Sequence, residues 1–72
     1  MKESMLNTKV TILVEGLGEI TATASAFNNI SFAFGELSRV NKGRGYNISA
    51  DLRDRQSKQI YRALDSIGFY GA

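Results

Sequence analysis

Residues 26–40 read AFNNISFAFGELSRV, and the period assigned to this stretch decides the fold. At about 100° per residue, Ala26, Phe27, Ile30, Ala33, Phe34, Leu37 and Val40 fall within an arc of about 140°, one apolar face of a helix. A rival exists. Ile30-Ser31-Phe32-Ala33-Phe34 also alternates, as a strand would, and Asn28, Asn29 and Gly35 are poor helix formers. Phe27, Leu37 and Val40 fit only the helical period, so the helix is preferred. Ser25 stands where its hydroxyl can accept a first-turn N–H. Asn41-Lys42-Gly43 supplies a stop, since Gly or Asn can adopt the left-handed cap conformation.

Upstream, 8–15 alternates. Val10, Ile12 and Val14 point one way; Lys9, Thr11, Leu13 and Glu15 point the other. Gly16-Leu17-Gly18 breaks the run. Residues 19–25 then alternate again, with Ile20, Ala22 and Ala24 opposite Thr21, Thr23 and Ser25, so the two runs form a hairpin. Downstream, Tyr46, Ile48 and Ala50 alternate with Asn47 and Ser49, which predicts a third strand over 46–50. Asp51 can cap a second helix, and Asp54 suits its first turn. Leu52, Gln56, Ile60, Ala63, Leu64 and Ile67 form the apolar face of that helix, ended by Gly68. Asp51 with Arg55 and Asp54 with Lys58 make favourable i,i+4 pairs.

The expected order is therefore ββαβα, an α+β domain. A crossover through the first helix returns strand three parallel to strand two. Strand order 2-1-3 then makes every neighbouring pair antiparallel, giving a three-stranded antiparallel sheet with two helices on one face. At 72 residues the chain is one domain, with 1–7 expected to be a loose N-terminus. It contains no Cys and no His, which rules out a disulfide and a Cys/His zinc site. So small a core without a staple is marginal alone. A homodimer or higher oligomer, or a protein partner, is expected. The apolar runs are too short to span a membrane. The N-terminus lacks the apolar core of a signal peptide. The expected location is the cytoplasm, with no membrane partner.

The missing residue types also restrict chemistry. Without His or Cys, most nucleophile–base arrangements are unavailable. Glu15 and Glu19 sit across a hairpin turn with nothing apolar to shift a pKa, and read as a solvated pair. Gly16-Leu17-Gly18 joins two antiparallel strands and opens no helix, so it is not a dinucleotide loop. No catalytic residue, metal or cofactor is expected.

Two binding readings remain. Net charge is +2, but residues 1–38 carry −2, 39–62 carry +5 and the rest −1. In the Asn41-Lys42-Gly43-Arg44-Gly45 segment, Lys42, Gly43, Arg44 and Gly45 could form a backbone nest beside positive charge. Arg55, Lys58 and Arg62, at i, i+3 and i+7, lie opposite the core face of the second helix and could track phosphates. The plainer reading is a helix cap followed by a solvated helix face. Phe32 falls on the polar side of the first helix, near Arg39. Tyr61 lies to one side of the second helix, and Phe69 and Tyr70 close the chain. Aromatic and Arg residues dominate interface hot spots. Phe32, Arg39, Tyr61, Phe69 and Tyr70 are thus the candidate partner contacts. The sequence favours a small non-catalytic binding protein that occupies a partner protein's surface, as regulators, inhibitors and adaptors do, of a size that suits a phage or mobile element. The alternative is an anion binder for nucleic acid or a nucleotide-like ligand.

Overall fold

A computed structural model describes residues 5–71, in the order β1 (Lys9–Val14), β2 (Gly18–Thr23), α1 (Ala24–Gly43) and α2 (Asn47–Ser66). The α+β class holds; the three-stranded sheet does not. Among the described residues the sheet has two strands, paired antiparallel with Ile12 opposite Ile20 and Val10 opposite Ala22. Thr11 and Thr21 share a 2.7 Å hydroxyl contact on the outer face. The inner face carries Val10, Ile12, Val14, Ile20 and Ala22 against both helices.

The 26–40 stretch is helical throughout, and the rival strand at 30–34 is absent. The helix begins two residues earlier than expected. Thr23, not Ser25, is the cap, its hydroxyl accepting from the Ala26 N–H at 3.1 Å. The chain thus passes from β2 into α1 without a loop, and Ser25 lies inside the first turn. The helix runs through the expected stop at 41–43 and ends at Gly43. The left-handed residue is Gly45, at φ +81°. Gly45 N–H donates to Lys42 C=O at 3.1 Å and Tyr46 N–H to Asn41 C=O at 2.9 Å. This is a Schellman closure.

That closure explains the main correction. Residues 46–50 open α2 instead of forming a strand. The Ala50 N–H donates back to Tyr46 C=O at 2.9 Å, an i→i−4 bond. The alternation of Tyr46, Ile48 and Ala50 did not mark a buried face, because Ile48 is 89% exposed and only Ala50 is buried. Ala50 instead starts a helical series with Gln56, Ile60 and Leu64. With three residues between them, α1 and α2 must fold back as an antiparallel pair. Five residues of period two carry too little information to outweigh a helix that begins there. Asp51, proposed as a cap, therefore lies inside α2.

Small residues hold the helices close. Ser31 Oγ donates to Ser57 C=O at 3.0 Å, and Ser57 Oγ donates to Ser31 C=O at 2.8 Å. Ser38 Oγ reaches the Ala50 carbonyl at 2.7 Å. Gly35 lies beside Ser57, whose Oγ would sit in ordinary contact, 3.6 Å, with an added Cβ. The core gathers Ile12, Val14, Ala24, Phe27, Ile60, Leu64 and Phe69. Phe69 arrives there because α2 ends in a second Schellman closure at Gly68, φ +81°, with Phe69 N–H donating to Leu64 C=O at 3.0 Å. Of the expected loose stretch 1–7, residues 1–4 lie outside the described ones. Met5 and Leu6 pack on the core, and Leu6 C=O accepts from Ser25 N–H at 3.1 Å. Among the described residues, no helix is long and apolar enough to cross a membrane.

Candidate functional site

The antiparallel helices create two faces, and the hairpin covers only one. Ile30 and Ala63 pack toward the hairpin core, and Gln56 bonds to its turn. Phe32 and Tyr61 lie on the order of 150° around their helices from these residues, so both point to the opposite face. There they meet in an open concavity of ≈ 530 Å³, with Ser31, Gly35 and Ser57 along its floor. Small floor residues and large rim residues are what make it concave. Phe32 is 72% exposed and Tyr61 50%.

Tyr70 closes one end of this groove. Its hydroxyl donates to Asn28 Oδ1 at 2.7 Å, and its ring lies 4.9 Å from Tyr61, tilted by 34°. Phe69 supports it from the core side in an edge-on contact at 5.2 Å. Burial pushes the Tyr70 phenol above its ordinary value, with Tyr61 and Asp65 adding to the effect. The hydrogen bond and the two ring contacts hold Tyr70 as an oriented ring. Of the expected partner contacts, Phe32, Tyr61 and Tyr70 come together. Phe69 does not join them at the surface, because it is wholly buried. Arg39 is exposed and pairs with Glu36, which lines the groove. Asn28 and Gly35 were read from sequence only as poor helix formers, and Ser31 and Ser57 were not read as site residues. The available signal was Ser31 and Gly35, small residues at i, i+4 on a helix whose partner was not yet known.

The basic residues are dispersed. Arg55 grips Glu15 through two hydrogen bonds of 2.8 and 2.9 Å, not Asp51 as its i,i+4 spacing suggested. This guanidinium holds the Glu15 carboxyl below its usual range. Gln59 Oε1 accepts from the Glu15 N–H at 2.8 Å, and Gln56 Nε2 donates to the Glu15 carbonyl at 2.9 Å. Glu15 is therefore the clamp of the hairpin turn onto α2, and both it and Glu19 remain exposed. Lys58 bridges Asp54 at 3.0 Å, as its spacing predicts. Lys42 and Arg44 lie at the helix–helix loop, whereas Arg62 lies about 22 Å along α2 from Asn47. Arg55 and Lys58, nearer the loop, are each paired with a carboxylate.

Nor is the backbone of the Lys42–Gly45 loop open. The N–H groups of Arg44, Gly45 and Tyr46 all donate to α1 carbonyls. The hollow beside it, ≈ 430 Å³, is bordered by Gly45, Tyr46, Asn47, Ile48 and Ser49, without a cation among them. Among the described residues, no three acidic side chains cluster as metal ligands would. No family model, curated protein or solved structure matches this chain.

Proposed function

We propose that this chain is a non-catalytic binding protein that occupies a surface of a partner protein, in the manner of a small regulator, inhibitor or adaptor. The observation that supports this most is the Phe32–Tyr61–Tyr70 groove on the face the hairpin leaves open. Burying a large exposed aromatic against a partner is favourable, and its few rotatable bonds keep the ordering cost low. Tyr70 is already oriented by Asn28, so little is lost in fixing it further. The polar floor and rim, with Asn28, Ser31 and Glu36, would set orientation and register. Ion pairs at Arg39, Arg55 and Lys58 leave less free positive charge than the sequence suggests, which weakens the anion-binding alternative.

The test is affinity capture with wild-type protein and with Phe32→Ala and Tyr61→Ala, followed by titration of any captured protein across a salt series. A partner retained at high salt and lost with either substitution, while circular dichroism is unchanged, supports the proposal. Capture that ignores both substitutions, or that collapses steeply with salt, contradicts it. Steep salt dependence would return attention to phosphate-driven binding.

A further inference from the structure

The hairpin is shorter than the helices it covers. Six-residue strands span about 20 Å, and twenty-residue helices about 30 Å. The hairpin turn is fixed opposite Gln56 and Gln59 by the bonds to Glu15. Beyond that level the same face of the helix pair continues for roughly two turns without a third layer among the described residues. Phe34, packed on the edge of the core, marks where the step begins; the step carries Leu37 from α1 and the half-buried Leu52 from α2, flanked by the exposed Val40 and Ile48. Arg53 lies over the Phe34 ring, 5.1 Å from its centre, where the strands give out. Leu17 projects from the hairpin tip at the edge of the step and is exposed.

We infer that a second copy of this chain covers this step, forming a two-fold dimer in which the loop ends of both helix pairs face each other. Three observations favour this occupant. The profile is self-complementary. A helix layer and a hairpin layer are each about 10 Å thick, so the bare helix end of one copy fits where the other copy's hairpin stops. The same two-fold sets the hairpin tip of each copy against the helix–helix loop of the other, an isologous contact. The charges then match. The tip carries Glu19, and the loop carries Lys42 and Arg44; none of the three has an ion pair among the described residues.

The area is also adequate. Leu17, Leu37, Val40 and Ile48 together expose roughly 400 Å², within the range of the largest apolar patches found on monomers. Including the half-buried Phe34, Leu52 and Arg53 brings the step to about 550 Å² per copy, about 1,100 Å² in the dimer, just above the size a specific interface must clear. Such burial would give this staple-free chain the surface it lacks, on a face separate from the Phe32–Tyr61 groove.

Sedimentation equilibrium of the full chain from about 1 to 200 μM tests this. The wild type should show a monomer–dimer equilibrium. Ile48→Asp should weaken dimerisation at least about 100-fold, because a two-fold counts the substitution twice. Its side chain is nearly free in the monomer, so the helical circular dichroism should persist. Leu37→Lys should do the same from α1. Phe32→Asp, on the other face, should leave the dimer intact, and the dimer should weaken with salt. A wild type monomeric throughout overturns the inference. So does a dimer that survives both Ile48→Asp and Leu37→Lys, or one abolished by Phe32→Asp alone.

Discussion

Where the hairpin lies, α1 and α2 bury Phe27, Ile60 and Leu64 completely; at the loop end the same two helices bury only Ala50. Both ends have helical periodicity and apolar residues. The difference is the third layer. At the hairpin end, Ile12 and Val14 from β1 and Phe69 from the chain end complete a closed core. At the loop end, Leu37, Val40 and Ile48 face outward because no strand or tail among the described residues reaches them. An amphipathic pattern states which residues want burial, but a helix pair alone has two faces to fill and supplies partners for neither.

The largest effect that would sharpen this contrast comes from the closed end. Phe27→Ala should cost about 3–5 kcal/mol, most of the stability of so small a domain. Leu37→Ala, at the open end and 42% exposed, should cost about 1 kcal/mol or less at low-micromolar concentration. Urea denaturation compares them. Equal losses would mean that the loop end is as well packed as the hairpin end.

Next come the two helix closures. Gly45 and Gly68 share φ +81°, and neither has a neighbour that an added Cβ would strike. Alanine at either position should cost about 1–2 kcal/mol of backbone strain. The penalty should be larger at Gly68, because that closure seats Phe69 in the core, whereas the one at Gly45 leads to the exposed Tyr46. A larger loss at Gly45 would reverse the assignment of core and open ends.

The smallest effect concerns the clamp at the boundary between the ends. Arg55 lowers the folded-state pKa of Glu15 below its ordinary value of 4.5. The unfolded chain therefore takes up the proton first as pH falls. The clamp's contribution is present above about pH 4.5 and is lost as pH drops through the lowered folded-state value. Glu15 is exposed, so the change should be slight. A melting-temperature profile should show it below pH 4.5 for wild type and lack that component in Glu15→Gln. Identical acid profiles would remove the clamp from the stability of the hairpin turn.

These contrasts also show what was legible in the sequence. The hairpin was readable because period two persisted through two runs around one glycine-rich break. The helical reading of 26–40 held because Phe27, Leu37 and Val40 fit no other period. Residues 46–50 misled because Ile48, an apolar residue at the open end, copied the spacing of a buried strand. Its exposure came from the missing third layer, which no local pattern records. The grouping of Phe32, Tyr61 and Tyr70 was hidden for a related reason. It depends on α1 and α2 lying antiparallel, and the strand predicted at 46–50 removed that arrangement. The closing role of Phe69 was likewise set by the turn at Gly68, which reverses a tail that reads as surface.

Native-state hydrogen exchange, followed residue by residue in dilute protein, tests the division into a closed and an open end most directly. Amides of Ile12, Phe27, Ile60 and Leu64 should exchange only through global unfolding, with strong denaturant dependence. Amides of Val40, Asn41, Ala50 and Leu52 should exchange through smaller openings, at lower free energy and with weak denaturant dependence. Equal protection at both ends, with one common denaturant dependence, would contradict the division.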